Sequence, residues 1–317
     1  MKILANDGIS NNAKETLEKN GFEVVTTKVA QEQLENFINE EHIDAILVKN
    51  NTQVRQELIE VCPSIKLIGC GNPDMDNIDA DFAKENGVHV INTTDATANA
   101  IAELVFAHLF GMVRYLHQAN RDMPLEGDIR FNSMQKQFSQ GIELRGKTLG
   151  IIGNEPSANE VARIALGIGM KVVFSGDYTE ERNISVAFHN GQFIDIQVET
   201  EPFKEVLSSA DFVSLHLPQQ EGYVIGNEQL KVMKDGVGII NTCYGGAIDE
   251  VAIVKAIETG KVKYVGLDVF ENEPTPEIQL LMNPELSFTP RIAPSTIEAK
   301  QKIDVDLAKQ IIDLLSE

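Results

Sequence analysis

Leu149-Gly150-Ile151-Ile152-Gly153, running on into Asn154-Glu155-Pro156-Ser157-Ala158, is the stretch on which the reading of this chain turns. Its first five residues predict a buried strand ending in a glycine turn, and residues 157–169 carry the apolar spacing of a helix. Strand, tight turn and helix in that order open a dinucleotide-binding βαβ unit. The loop between them departs from the GxGxxG/A fingerprint, because Glu155 stands where the second glycine belongs. Two unit charges about 4 Å apart interact by roughly 4 kcal/mol at an effective dielectric near 20, so a carboxylate here opposes a pyrophosphate; rotation into solvent lowers that figure. Pro156 also removes one backbone donor. The same segment is equally a sound helix start, with Asn154 as cap and proline in the first turn.

Outward from this stretch the chain alternates strand and helix signals. Residues 1–95 read as one α/β unit with a parallel sheet, and a second series begins at Lys147 with the strands 149–153, 172–174, 212–215, 237–241 and 264–269. Between them residues 97–119 predict the longest helix, with Ile101, Leu104, Val105, Leu109, Met112, Val113 and Leu116 on one stripe. Alternating residues on both sides of Asn190-Gly191 predict a β-hairpin over 184–198 closed by a type I′ turn. The apolar spacing of 296–313 predicts a last helix packed back on the first unit. The domains are therefore expected at 1–96 with 292–317, and at 97–291.

Composition narrows the classes of function. A formal charge of −21 over 317 residues, with no cluster of Lys and Arg, argues against a nucleic-acid partner. No uninterrupted apolar run of membrane-spanning length is read from the sequence, so no membrane partner is expected. The three cysteines, Cys62, Cys70 and Cys243, show no metal or disulfide spacing; this predicts a cytoplasmic protein without a metal site.

The motifs Gly141 to Gly150 (GIELRGKTLG), Ser214-Leu215-His216-Leu217-Pro218, Asn241-Thr242 with Gly245-Gly246, Gly266 to Pro274 (GLDVFENEP) and Thr289-Pro290 run in order along the chain. With them the chain resembles the D-2-hydroxyacid dehydrogenase family, and within it the short phosphoglycerate dehydrogenases without a C-terminal regulatory domain. The resemblance implies two Rossmann-like doubly wound domains: a flavodoxin-like substrate domain built from both chain ends and an NAD-binding domain between. It also implies a homodimer through the cofactor domain and hydride transfer to NAD. The implied machinery is an arginine on the substrate carboxylate, a histidine exchanging the hydroxyl proton, and a glutamate orienting the histidine. Glu273 supplies the glutamate. Tyr244 stands at the arginine's position and Arg291 at the histidine's. A phenol lacks the charged two-pronged grip of guanidinium, and a guanidinium does not give up its proton at physiological pH.

The remaining candidates follow the same carry-over. Gly153, Glu155, Pro156, Ser157, Asp177, His216, Pro218, Cys243 and Asp268 are the expected cofactor-binding positions, and Asn51, Pro73 and Asp74 the substrate-binding ones. The ribose-binding acid falls at Gly176, with Asp177 one residue later; a reaching Asp177 favours NAD over NADP. Pro73 has no amide hydrogen and Asp74 adds negative charge where an anion should sit, which disfavours a phosphorylated hydroxyacid. His216 either satisfies neighbouring polar groups or walls the cofactor pocket. Cys243 reads as a small buried residue, and Glu273 with Arg291 as an ion pair. The leading expectation is a phosphoglycerate-dehydrogenase-like protein with family hydride transfer lost or strongly impaired: a binding or regulatory module or a rewritten scaffold, with a small-molecule ligand or an active relative as partner. The alternative is an active oxidoreductase in which Arg291 grips the carboxylate and Tyr244 or a water handles the proton.

Overall fold

In the computed structural model residues 1–315 are described except 50, 72–74 and 76, and they form two compact units. Unit 1 comprises Met1–Thr97 and Pro294–Glu317, and unit 2 comprises Ala98–Ala293. Unit 1 contains strands β1 (Lys2–Ala5), β2 (Glu23–Val25), β3 (Ala45–Val48), β4 (Leu67–Cys70) and β5 (His89–Ile91), with helices α1 (Asn11–Lys19), α2 (Leu34–Glu40), α3 (Gln56–Val61) and α4 (Ala80–Glu85). The chain leaves through α5 (Thr94–Val113) and α6 (Leu116–Phe138). Unit 2 continues with β6 (Thr148–Ile152), α7 (Pro156–Gly167), β7 (Lys171–Gly176), β8 (Glu180–Ala187), β9 (Phe193–Pro202), α8 (Phe203–Ser209) and β10 (Phe212–Leu215). It closes with α9 (Asn227–Val232), β11 (Val237–Asn241), α10 (Glu250–Glu258), β12 (Val262–Leu267), α11 (Ile278–Leu281) and β13 (Leu286–Phe288). Helix α12 (Ile297–Leu315) returns to unit 1.

The unit 1 sheet is parallel in the order β2-β1-β3-β4-β5. Its strands are near-continuous apolar runs because both faces are covered. Alternation along each strand divides the core: Leu4, Ile46, Val48 and Ile68 lie in one cluster, Ile3, Ala45, Leu47 and Leu67 in the other. Ile303, Leu307 and Ile311 of α12 close the second cluster together with Ala13 and Leu17 of α1.

Unit 2 has the strand order β13-β12-β11-β10-β6-β7-β9-β8, parallel except for β8 against β9. The sheet grows in both directions from β6, so the topological switch lies between β6 and β10, and a ligand crevice is expected beyond their carboxyl ends. Gly153 and His216 are the first residues past those two ends.

Two expectations need correction. The apolar stripe assigned to one helix over 97–119 is divided, because α5 ends at Val113 and Tyr115 adopts a left-handed conformation (φ +55°) before α6 starts. Leu116, placed on the buried stripe, is instead exposed. The hairpin strands reach from 180 to 202, beyond 184–198, and only Gly191 of the Asn190-Gly191 pair has positive φ (+83°); a type I′ turn requires both, and the observed loop spans 188–192. By length and composition alone α5 could cross a membrane over Asp95–Val113, but Asp95, Asn99, Glu103 and His108 interrupt the window and 67% of it is buried, with Val105, Leu109 and Met112 in the unit 2 core.

Candidate functional site

The glycine turn after β6 is built against β10. Gly153 has φ +104°, and a Cβ there would stand 1.9 Å from the His216 carbonyl oxygen, so no other residue fits. The Glu155 N–H donates to that same carbonyl at 3.2 Å. Glu155, not Asn154, is the N-cap of α7, in an extended conformation (φ −59°) without a side-chain cap bond, and Pro156 opens the helix. The backbone at 155 thus needs no glycine; what differs from the fingerprint is the carboxylate carried into the loop.

His216 is fully buried beneath this turn, with Nδ1 2.8 Å from Ser157 Oγ and Nε2 2.8 Å from Ser214 Oγ. A neutral imidazole donates from one nitrogen and accepts at the other, so both hydroxyls are satisfied and the start of α7 is tied to β10. Burial pushes its pKa down to about 3. The folded imidazole therefore stays neutral while an unfolded one protonates below about pH 6.5. Stability is unaffected above that pH and falls by about 1.4 kcal/mol per unit as pH drops from 6.5 toward 3. Acid unfolding is expected to lose about 2 kcal/mol from this group by pH 5, and His216→Gln is expected to flatten the slope in chemical denaturation at pH 5 to 7.

At the end of β7 the sheet leaves no room for the ribose acid. A Cβ on Gly176 would meet Thr200 Cγ2 of β9 at 2.4 Å, so the inserted hairpin occupies that volume, and Asp177, the next residue, is exposed at the bend. Pro218 is exposed past His216. The glycine turn, small Ala158 and helix amino terminus fit a nicotinamide dinucleotide at its turn contacts, while Glu155 puts a carboxylate beside its pyrophosphate and the ribose-acid position itself carries no side chain.

Glu273 and Arg291, 18 positions apart, are brought together, with Arg291 Nη1 donating to Glu273 Oε2 at 2.6 Å. The other Glu273 oxygen accepts from Phe270 N–H at 3.0 Å. The Arg291 side chain remains 47% exposed against 26% for Glu273. Arg291 sits at φ +52° in a turn fastened by Asp268, whose carboxylate accepts from Ile292 N–H at 2.9 Å and Ala293 N–H at 2.8 Å. Burial raises the Asp268 pKa. Tyr244 is buried in the apolar cluster with Ala247 and Phe270, and burial raises its phenol pKa further. Asn241 holds this loop, its Nδ2 donating to the Tyr244 carbonyl and its Oδ1 accepting from Cys243 N–H and Sγ.

Two contacts that the motifs did not signal join the Tyr244 loop to the Glu273 loop. Glu250 N–H donates to Glu271 Oε1 and Glu271 N–H to Glu250 Oε1, both at 2.8 Å. Glu250 is buried, and burial raises its pKa. Beside this clasp a Cβ on Gly245 would lie 1.7 Å from the Phe270 carbonyl oxygen. Because that obstacle is backbone, Gly245→Ala is expected to destabilise unit 2 by about 3 kcal/mol, read as a lowered thermal midpoint.

In unit 1, Asn51 is exposed in a turn after β3, and Pro73 and Asp74 lie outside the described residues. His108 is a buried packing residue, bonded to Ser287 and Thr289, and burial pushes its pKa down to about 4. No group of three metal-ligating side chains occurs among the described residues.

Comparison with known proteins places residues 106–293 on the family model described as the NAD binding domain of D-isomer specific 2-hydroxyacid dehydrogenases. The chain is 35% identical to a hydroxypyruvate reductase of Thermotoga maritima, covering 98% of this chain and 97% of that protein. It is 33% identical to the D-3-phosphoglycerate dehydrogenase of Bacillus subtilis, spanning 98% of this chain but 56% of the relative's length. A solved structure of a glyoxylate reductase from Paecilomyes thermophila superposes with a TM-score of 0.78 at 29% identity, covering 100% of this chain and 96% of that one.

Proposed function

This chain belongs to the D-isomer specific 2-hydroxyacid dehydrogenase family, and from that premise we propose that it is an NAD-binding member whose 2-oxoacid reduction is lost or strongly impaired, serving as a binding or regulatory module. The observation that carries this reading is the 2.6 Å pair between Arg291 and Glu273. Reducing a carbonyl requires a proton for the developing alkoxide. A guanidinium does not release one near neutrality, and the buried phenol of Tyr244 holds its proton more firmly than a free one. Arg291 stabilises negative charge but does not shuttle a proton, and loss of general acid–base help costs about 10²–10⁴-fold.

NAD, when bound, supplies or accepts the hydride. The Gly153 turn, the amino terminus of α7 and Asp177 would hold it, with His216 keeping the turn against β10. The test is NADH binding by nicotinamide fluorescence, paired with NADH consumption on glyoxylate, hydroxypyruvate and 3-phosphohydroxypyruvate. Binding with turnover at or near background supports the proposal. Robust consumption abolished by Arg291→Ala would replace it with an oxidoreductase in which the arginine grips the substrate carboxylate.

We extend the proposal to assembly and compartment. Leu125, Ile129 and Phe131 of α6 are exposed, Ile129 by 84%, and with exposed Phe110 of α5 they give unit 2 apolar surface that a second copy would cover. A homodimer is expected by light scattering, with Ile129→Asp shifting it to monomer; mixed dimers with an active relative would appear on co-expression. A cytoplasmic setting is part of the same proposal, and no disulfide forms among the described residues.

A further inference from the structure

Where β5 hands over to α5, the chain and helix α12 border a cavity of about 390 Å³, all of whose lining residues belong to unit 1. Small-molecule sites occupy about 300–1,000 Å³. None of the lining residues is a candidate cofactor or substrate position. Asn92, Thr93 and Asp95 form one wall. Asp306, Lys309, Gln310 and Asp313 form the other, their spacing of three and four placing them on one face of α12. Gln310 joins the walls, its Nε2 donating to the Asn92 carbonyl at 2.9 Å and to Asp306 Oδ2 at 3.3 Å.

Two independent observations point to a ligand here. The lining holds three carboxylates and one ammonium, and among the described residues no ion pair takes up Asp95, Asp313 or Lys309. The other observation is Thr93, which directly precedes α5, where a threonine hydroxyl ordinarily caps the helix. Here the residue is 1% exposed and its Oγ1 is buried without a hydrogen-bond partner. A buried hydroxyl left unpaired is unfavourable, and a donor entering the cavity satisfies it.

The lining selects the chemistry of that donor. Carboxylates and a hydroxyl oxygen accept from N–H, which an ammonium supplies and a phosphate or carboxylate does not. A divalent metal needs several oxygens converging on one point, and no group of three metal-ligating side chains occurs among the described residues. The carboxylates are instead spread out: Asp306 and Asp313 are separated by about 10 Å along the axis of α12, and Asp95 stands on the opposite wall. Lys309 and the amino terminus of α5 weaken the negative field without reversing it. A single exposed ion pair contributes little, so a ligand gains most by carrying several cationic groups on one chain. We propose that this cavity binds a linear aliphatic polyamine, with Asp95, Asp306 and Asp313 taking its ammonium groups and Thr93 Oγ1 accepting from one of them. The site stands apart from the dehydrogenase reading and requires no turnover.

Calorimetric titration of spermidine into the full chain tests the proposal, with n-butylammonium and magnesium ion as comparison ligands. The native chain is expected to bind one spermidine saturably and at least tenfold more tightly than either. A chain of formal charge −21 attracts polycations diffusely, so variants decide whether the site is real. Asp306→Asn together with Asp313→Asn is expected to weaken spermidine at least tenfold, while Asp195→Asn on the exposed part of β9 leaves it within twofold. Thr93→Val keeps the shape and removes only the hydroxyl. It should fold at least as stably as the native chain and weaken spermidine about tenfold, a change that diffuse attraction does not produce. Uptake without saturation, native affinity in the double variant, or native affinity in a folded Thr93→Val protein would overturn the proposal. Magnesium binding as tight as spermidine binding would overturn it in favour of a metal. Should the double variant not fold, Asp313→Asn alone decides, because that side chain is exposed: threefold or greater weakening supports the proposal, and anything less sinks it.

Discussion

Arg291→His is expected to raise NADH-dependent 2-oxoacid reduction by about 10²–10⁴-fold over the native chain, the usual worth of a positioned general acid. The site is prepared for it. Glu273 has one oxygen on the Phe270 N–H and presents the other toward residue 291, the arrangement that would orient an imidazole. The backbone also accepts the change, because residue 291 is at φ +52°, a region in which histidine is enriched over most non-glycine residues. Asp268 keeps the turn in place through Ile292 and Ala293 whichever side chain is carried. The readout is steady-state NADH oxidation on hydroxypyruvate and glyoxylate, with the pH profile as control. A gained imidazole should introduce a titration near neutrality that the arginine cannot produce. A folded Arg291→His protein with unchanged turnover would show that the deficit lies elsewhere. Tyr244→Arg in the same background would then ask whether the missing carboxylate grip is responsible.

The second large effect is expected in the cofactor loop. Glu155→Gly should tighten NADH binding by about ten- to a hundredfold, below the three decades that unscreened repulsion of about 4 kcal/mol would give, because the residue is partly exposed. The gain should come from charge and not from chain freedom, since φ at 155 is −59° and asks for nothing special. Glu155→Gln separates the two causes: most of the gain should survive in glutamine, and its size should shrink as salt is raised. The chain lacks tryptophan, so NADH emission is read with little protein background. Equal affinity in native, glutamine and glycine proteins would assign any weakness in binding to Pro156 or to the displaced ribose acid.

The parts of this molecule that were legible in sequence are those written in short-range patterns. The apolar run of β6, its terminal glycine and the helical spacing after it are local signals, and the structure forms a strand, turn and helix there. The alternation of strands and helices likewise announced two sheets, parallel in unit 1 and parallel but for the β8–β9 hairpin in unit 2. The break at Tyr115 left no such mark, because Leu116 continues the helical stripe in register and only the left-handed backbone interrupts it. Helix α6 was invisible for a related reason: its sequence contains Pro124, its φ and ψ leave the helical region at Arg130, and much of its apolar surface faces outward. Strand ends at Glu180–Arg182 and Glu199–Glu201 are rich in charge and fall outside the alternating stretch 184–198, yet cross-strand pairing carries them into the sheet.

The site divides along the same line. Glu273 and Arg291 lay in recognisable motifs, so their positions could be named before any geometry was known. The bond from Gln310 to Asn92 joins residues 218 positions apart through a helix that returns from the other end of the chain, and no local pattern encodes it. The serine partners of His216 are of the same kind: Ser214 is two residues away on the same strand, but Ser157 belongs to α7. The tertiary arrangement, not composition or periodicity, decided whether that histidine served as structure or as chemistry.

The reciprocal clasp of Glu250 and Glu271 bears on how this protein can drift in evolution. Each glutamate caps the other's backbone amide, so a first substitution at either position by anything that lacks a side-chain acceptor of this length leaves an amide unpaired until a compensating change follows. The two positions should behave as one heritable unit: across related sequences they should be exchanged together or kept together, and lineages carrying one change alone should be rare and short-lived.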